Sequence, residues 1–153
     1  MRRADKEIKS KKEIESIIKS AKVCRVGFVD GGKPYVLPFN FGYSGGTFYL
    51  HCAKEGRKLD IIRKNNMVCV EIDSDHKLKP GKYACSHSFW YRSVLAEGTA
   101  DVLDSNAGKI KALKLIMKQM TDGFFSEFRP ESLEKITIIR IKAGRFTGKK
   151  SGY

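Results

Sequence analysis

No apolar run in this sequence approaches the roughly 20 residues a helix needs to cross a bilayer. The opening MRRADKEIKSKKE also lacks the apolar segment of a secretion signal. The expectation is a cytoplasmic protein with no membrane attachment. Cysteine is sparse and scattered: Cys24, Cys52, Cys69 and Cys85 form no C-x-x-C pair, which argues against a metal site or a dithiol redox motif. Three of them stand in apolar, strand-like surroundings, where cysteine serves as a small hydrophobe. Neither G-x-G-x-x-G nor G-K-[ST] occurs, and there is no β-α-β alternation, so a dinucleotide fold and a P-loop are both disfavoured. Acidic residues are in short supply, 17 against 30 Lys and Arg, for a net charge of +13. Such a charge suits an anionic partner. The cations are nevertheless spread over the N-terminus, a later helix (Lys109, Lys111, Lys114, Lys118) and the C-terminus, so no specific nucleic-acid partner is expected.

What is present is the material of a folded domain. Hydrophobic residues make up 41% of the 153, with nine Phe and six Tyr, enough for one core and one domain spanning 1–153. Ile14, Ile17, Ile18 and Ala21 recur at helical spacing and predict an amphipathic helix from about Glu7 to Lys22. VCRVGFVD and PYVLPFNFGY, joined by Asp30-Gly31-Gly32-Lys33, read as a β-hairpin. TFYLHC follows the turn Ser44-Gly45-Gly46 as a third strand, with Phe48, Leu50 and Cys52 on one face and Tyr49, His51 and Ala53 on the other. A short helix is predicted over Gly56–Asn65, then a strand MVCVEID, a loop over Lys77–Lys82, and one long bent strand within YACSHSFWYRSVLAEGTADVL. Asp104 or Ser105 can cap a second helix facing the core with Ile110, Leu113, Met117 and Met120. A loop with Phe124, Phe125 and Phe128 precedes a final strand, KITIIRIKAGRFTGKKSGY. Hairpin-linked strands with helices between the later ones predict a mainly β fold, an antiparallel sheet or barrel with flanking helices.

Three stretches carry candidate chemistry. In AKEGRKLD, Gly56 frees the backbone just before Arg57 and Lys58 at a helix start, which brings together cations, unsatisfied N–H groups and the positive end of a helix dipole. That combination suits a phosphate, although solvated cations after a loop glycine would look the same. In YRS, Arg92 and Ser93 can donate to phosphate oxygens, but on a strand they face opposite sides, so at most one of them shares a given site. In PFNF, Pro38 inside a strand marks an edge or bulge that leaves ladder groups free, and Asn40 offers both donor and acceptor. His51 on its strand reads first as a hydrogen-bonded packing residue and only second as a titratable catalytic one, since a titratable ring needs neighbours to tune it.

Taken in order, the N-terminal Met1-Arg2-Arg3 with its Ile-rich helix, PYVLPFNFGY, FYLHCAKEGRKLD and CSHSFWYRSVLAEGTADVL resemble the pyridoxamine 5'-phosphate oxidase-like FMN-binding split barrels, and within them the 5-nitroimidazole-resistance family. The resemblance implies an antiparallel split β-barrel forming a homodimer, with FMN at the subunit interface. Pro38, Phe39 and Asn40 would run along the isoalloxazine, and His51 would stand near its reactive edge as the catalytic residue. Arg57 and Lys58, joined by Arg92 and Ser93, would hold the phosphate. Cys52 departs from the family pattern, where a small polar residue is expected, but it lies on the strand face opposite His51. The activity implied is oxidoreduction, with electrons passing from a nicotinamide donor through FMN to a small acceptor such as a nitroaromatic (5-nitroimidazole) compound. The alternatives are a flavin- or haem-binding carrier or sensor without turnover, and a basic barrel that stacks nucleic-acid bases on Phe39, Phe41 and Trp90.

Overall fold

The computed structural model describes residues 3–121, 123, 125 and 127–153. Met1, Arg2 and Phe124, which figured in the sequence reading, lie outside the described residues. The chain forms β1 (Glu7–Ile8), α1 (Lys11–Ser20), β2 (Val23–Asp30), β3 (Lys33–Asn40), β4 (Gly42–Ser44), β5 (Thr47–Ala53), α2 (Arg57–Lys64), β6 (Met67–Lys79), β7 (Ser88–Leu103), α3 (Asn106–Met120), α4 (Pro130–Glu134) and β8 (Ile136–Ser151). All strands belong to one antiparallel sheet in the order β3-β2-β6-β7-β8-β5-β4, with β1 on β8. No described helix is long and apolar enough to cross a membrane.

The hairpin β2–β3 forms because Gly31 and Gly32 both take positive φ, 56° and 83°, as a two-residue turn matched to strand twist requires. Alternation then sorts the side chains. Cys24, Val26 and Phe28 on β2, Val68, Val70 and Ile72 on β6, Val94, Ala96 and Ala100 on β7, Ile139 and Ile141 on β8, and Phe48, Leu50 and Cys52 on β5 point into a common core. The two sheet edges, β3 and β4, are consecutive in sequence and joined only through Phe41, which is fully buried against Phe48 at 5.7 Å between ring centroids. The sheet therefore curls until its ends meet covalently, yet no described ladder closes it. The result is the split barrel that the sequence reading anticipated.

The helix boundaries differ from the sequence reading in instructive ways. Glu7 and Ile8 do not begin α1; they pair with Lys149 and Gly148 of β8. The helix starts at Lys11 because the Ser10 side chain accepts from the Glu13 N–H at 3.3 Å, a capping arrangement present in the sequence as Ser-x-x-Glu. The segment read as a loop from Lys77 is strand as far as Lys79, and β7 begins only at Ser88, after a 3₁₀ turn at Ala84–Ser86. Ser105 caps α3 as expected, accepting from Gly108 N–H at 3.3 Å. The face that α3 buries is Lys109, Ala112, Ile116 and Gln119, one position off the face expected from Ile110, Leu113, Met117 and Met120. Gln119 explains the rotation: its amide nitrogen reaches the Ile18, Lys19 and Ala21 carbonyls at 2.8, 3.0 and 2.7 Å, so the polar end of the helix is drawn inward to cap α1.

Candidate functional site

The split is where the barrel lacks backbone pairing. Among the described residues β3 pairs with β2 alone and its other edge is bare, and Pro38 stands on that edge strand as its missing donor requires. β5 pairs with β8 along its whole length but with β4 only from Thr47 to Tyr49. From Leu50 to Ala53 its second edge has no described partner. Pro38, Phe39 and Asn40 thus stand on one unpaired edge of the split and His51 on the other.

Their side chains divide. Phe39 is in register with Cys24 and packs against the core, while Pro38 and Asn40 turn outward. Asn40 Nδ2 donates to the Lys22 carbonyl at 3.2 Å, which leaves its Oδ1 uncommitted. His51 is exposed on the outer face of β5, opposite Ile138, and has no hydrogen-bond partner among the described residues.

β5 leads directly to α2. Gly56 precedes the helix with φ 126° and ψ 160°, a conformation that side-chain-bearing residues rarely adopt, and no side chain caps the first N–H groups of α2. Arg57 is held in place: its Nε donates to Asp30 Oδ2 at 2.9 Å, and its guanidinium lies 4.4 Å from the Tyr35 ring centroid. Lys58 is half-buried and has no carboxylate partner among the described residues. Burial pushes the Cys52 thiol up, and the nearby Lys58 ammonium opposes that shift. Cys52 is thus a packing thiol on the inner face, beneath the cationic corner.

Arg92 and Ser93 are elsewhere. Phe28, two residues before Asp30, pairs with Val68, whereas Arg92 pairs with Ser74. Six residues along β6 separate those levels, about 20 Å at the usual rise. One chain therefore does not bring its two cation groups to one anion. Arg92 lies on the inner row beyond Val94, its Nη1 donating to Asp75 Oδ2 at 3.3 Å and its guanidinium 4.5 Å from the Tyr153 ring centroid. Tyr153 Oη in turn donates to the Asp75 carbonyl at 2.6 Å. Arg92 Nε is buried and makes no hydrogen bond among the described residues. Ser93 faces the other way, between Asp73 and Lys149.

Sequence reasoning missed the residues that hold these cations, namely Asp30 and Tyr35 for Arg57, and Asp75 and Tyr153 for Arg92. Each lies at least 17 positions from the arginine it holds, and only the folded register brings them together. The donor set fits a flavin phosphate: an unpaired lysine, a helix N-terminus and an anchored arginine at the end of a slot with bare edges, together with an orphaned guanidinium N–H on another surface.

The sequence pattern of the pyridoxamine 5'-phosphate oxidase family matches residues 10–150. Among solved structures the chain is similar to a candidate 5-nitroimidazole antibiotic resistance protein from Bacteroides thetaiotaomicron, with 35% identity, a TM-score of 0.84, and coverage of 94% of this chain and 86% of that one. It is similar in fold to the FAD and heme binding protein from Mycobacterium smegmatis, with 18% identity, a TM-score of 0.86, and coverage of 97% and 74%. It is also similar in fold to the flavocytochrome Anf3 from Azotobacter vinelandii, with 18% identity, a TM-score of 0.86, and coverage of 100% and 72%. No curated protein matches.

Proposed function

This chain belongs to the pyridoxamine 5'-phosphate oxidase family, and on that footing we propose that it is an FMN-dependent oxidoreductase, a cytoplasmic homodimer that reduces a small acceptor of the nitroaromatic class at the expense of a nicotinamide donor. The observation that carries this reading is the slot between β3 and β5, whose bare edges run to the cationic corner at α2. FMN, when bound, supplies the electron-transfer chemistry. The chain's own residues bind, orient and protonate. Lys58, the first N–H groups of α2 and the guanidinium nitrogens of Arg57 not given to Asp30 would hold the phosphate. The one N–H of the Phe39–Asn40 pair that faces the bare edge of β3 would stabilise negative charge on the ring, and His51, exposed on β5, would deliver a proton to the acceptor.

The second copy supplies what one chain lacks. Arg92 would reach the phosphate from the partner subunit through its terminal guanidinium nitrogens, while Ser93, on the opposite strand face, would not share that contact. Support for the dimer comes from the outer face of β2, β3, β6 and β7, where Val23, Val29, Val36, Met67 and Leu95 are exposed, Val36 at 58% and Met67 at 56%. Arg25 in their midst pairs with Glu71 at 3.4 Å and with Asp73, so this face carries few unpaired charges.

The test is reduction of a 5-nitroimidazole by FMN-loaded protein with NADH or NADPH under anaerobic conditions. Wild type is expected to consume donor and acceptor together. His51→Ala is expected to lose about a hundredfold in turnover while FMN affinity stays nearly unchanged. Arg57→Ala and Lys58→Ala are each expected to weaken FMN by about tenfold or more. Bound flavin with no donor-dependent turnover would replace this reading with a carrier or sensor. An equal loss of turnover and affinity in His51→Ala would make that histidine a cofactor or structural residue.

A further inference from the structure

Beside α2 lies a cavity of about 250 Å³ lined by Lys54, Leu59, Arg63, Val102, Asp104, Lys109 and Thr137. Three of these side chains are cations and one is an anion, so the lining carries two positive charges in excess. Lys109 is only 3% exposed. An ammonium has three protons to donate, and among the described residues Lys109 has one acceptor, the neutral Leu133 carbonyl at 3.1 Å. Burying a charge is costly unless a counter-charge or several hydrogen bonds compensate it. The one carboxylate in the lining, Asp104, already accepts from Thr137 Oγ1 at 2.6 Å and forms no ion pair with Lys54, Arg63 or Lys109. Arg63 pairs only with exposed Asp60, at 2.8 Å, and Lys54 has no carboxylate partner among the described residues. The cavity thus has charge and donors to spare for an anion.

We propose that this cavity is a second oxyanion site, separate from the cofactor slot, that takes a small phosphate-class anion between Lys54, Arg63 and Lys109. Its hydrogen-bond donors come from the residue just after β5, from α2 and from α3. An occupant would tie those elements together at the end of the barrel next to the cationic corner. Cys52, in register with Thr137, marks how near the two sites are, since its thiol feels both Lys58 and Asp104.

The test uses inorganic phosphate on the full chain, with and without saturating FMN, against chloride at equal ionic strength. Matching ionic strength matters because a chain of net charge +13 is stabilised by any anion through screening. Phosphate is expected to raise Tm by at least about 3 °C and to show a saturable isotherm. Lys54→Ala/Arg63→Ala, both exposed and so safe for folding, is expected to abolish the phosphate-specific rise. The charge-matched Lys19→Ala/Lys118→Ala control is expected to keep it. Lys109→Met, if it folds, is expected to bind no phosphate. Equal responses in the two double variants, or none in wild type, would overturn the site. Loss of the response on loading FMN would assign the cavity to the flavin's phosphate and overturn it as a separate site. A phosphate response in a chain that binds no FMN would leave this site standing while the flavin reading falls.

Discussion

Apolar residues stand on both the inner and the outer faces of β2, β3, β6 and β7 and meet opposite fates. Inside, Val26, Phe28, Val68, Val70 and Val94 are sealed from solvent; outside, Val23, Val29, Val36, Met67 and Leu95 stand bare on the same strands. A half-buried antiparallel strand ordinarily alternates apolar with polar. Here the outward positions break that rule, and the breach falls on the sheet that ends at the slot. The inner face explains why one chain folds. The outer face is the surface on which we propose that a second copy is seated, which would carry Arg92, about 20 Å along β6 from the Phe28 level, toward the partner's cationic corner.

That contrast can be broken from either side. The largest effect is expected inside: Phe48→Ala, in the cluster with Phe41 and with Tyr43 at 4.9 Å, should cost about 3–5 kcal/mol in denaturant unfolding. A cost below about 1 kcal/mol would mean that the core does not close around β5. Next comes the polar plug at its rim. Gln119→Leu strips the amide from three α1 carbonyls and should cost about 2 kcal/mol, with amide exchange rising first at the end of α1.

Outside, the effect should be on assembly rather than folding. Met67→Lys should leave the circular dichroism of the folded chain intact while weakening self-association by more than about tenfold, as sedimentation would report. Unchanged association would exclude this face as the interface. The smallest effect concerns the pair that joins α1 to the core. Tyr43 Oη donates to Glu15 Oε1 at 2.8 Å, and burial first, then the Glu15 carboxylate, pushes the Tyr43 hydroxyl up to about 12 from an ordinary value of 10.0. A raised folded value means the stabilisation is whole below pH 10 and fades between pH 10 and 12, where the unfolded tyrosine ionises first. Tyr43→Phe should lose about 1 kcal/mol at neutral pH and show a shallower decline across that alkaline range. An unaltered slope would mean that another group governs it.

Much of the fold was legible because local signals agreed. Gly31-Gly32 defined a hairpin, the alternation in TFYLHC placed Phe48, Leu50 and Cys52 inward, and Gly56 before Arg57-Lys58 placed a helix start. What was not legible depended on distant partners. The face of α3 was misread because its inward residues include Lys109 and Gln119, polar groups that a hydropathy pattern assigns to solvent and that only the Leu133 carbonyl and the end of α1 draw in. Of the candidate residues, Pro38, Phe39 and Asn40 stand on one unpaired edge, His51 on the other, and Arg57 and Lys58 at the start of the helix that follows it. Arg92 and Ser93 do not join them within one chain, because strand spacing tells which face a residue takes but not how far along the barrel it lies.

The decisive measurement is sedimentation of FMN-loaded, desalted protein followed at both protein and flavin wavelengths. Flavin migrating with a species of twice the chain mass, at about one per chain, is the expected result, and Arg92→Ala should strip it without dissolving the dimer. Flavin carried by a single chain, or no flavin retained by a well-folded dimer, would contradict the account.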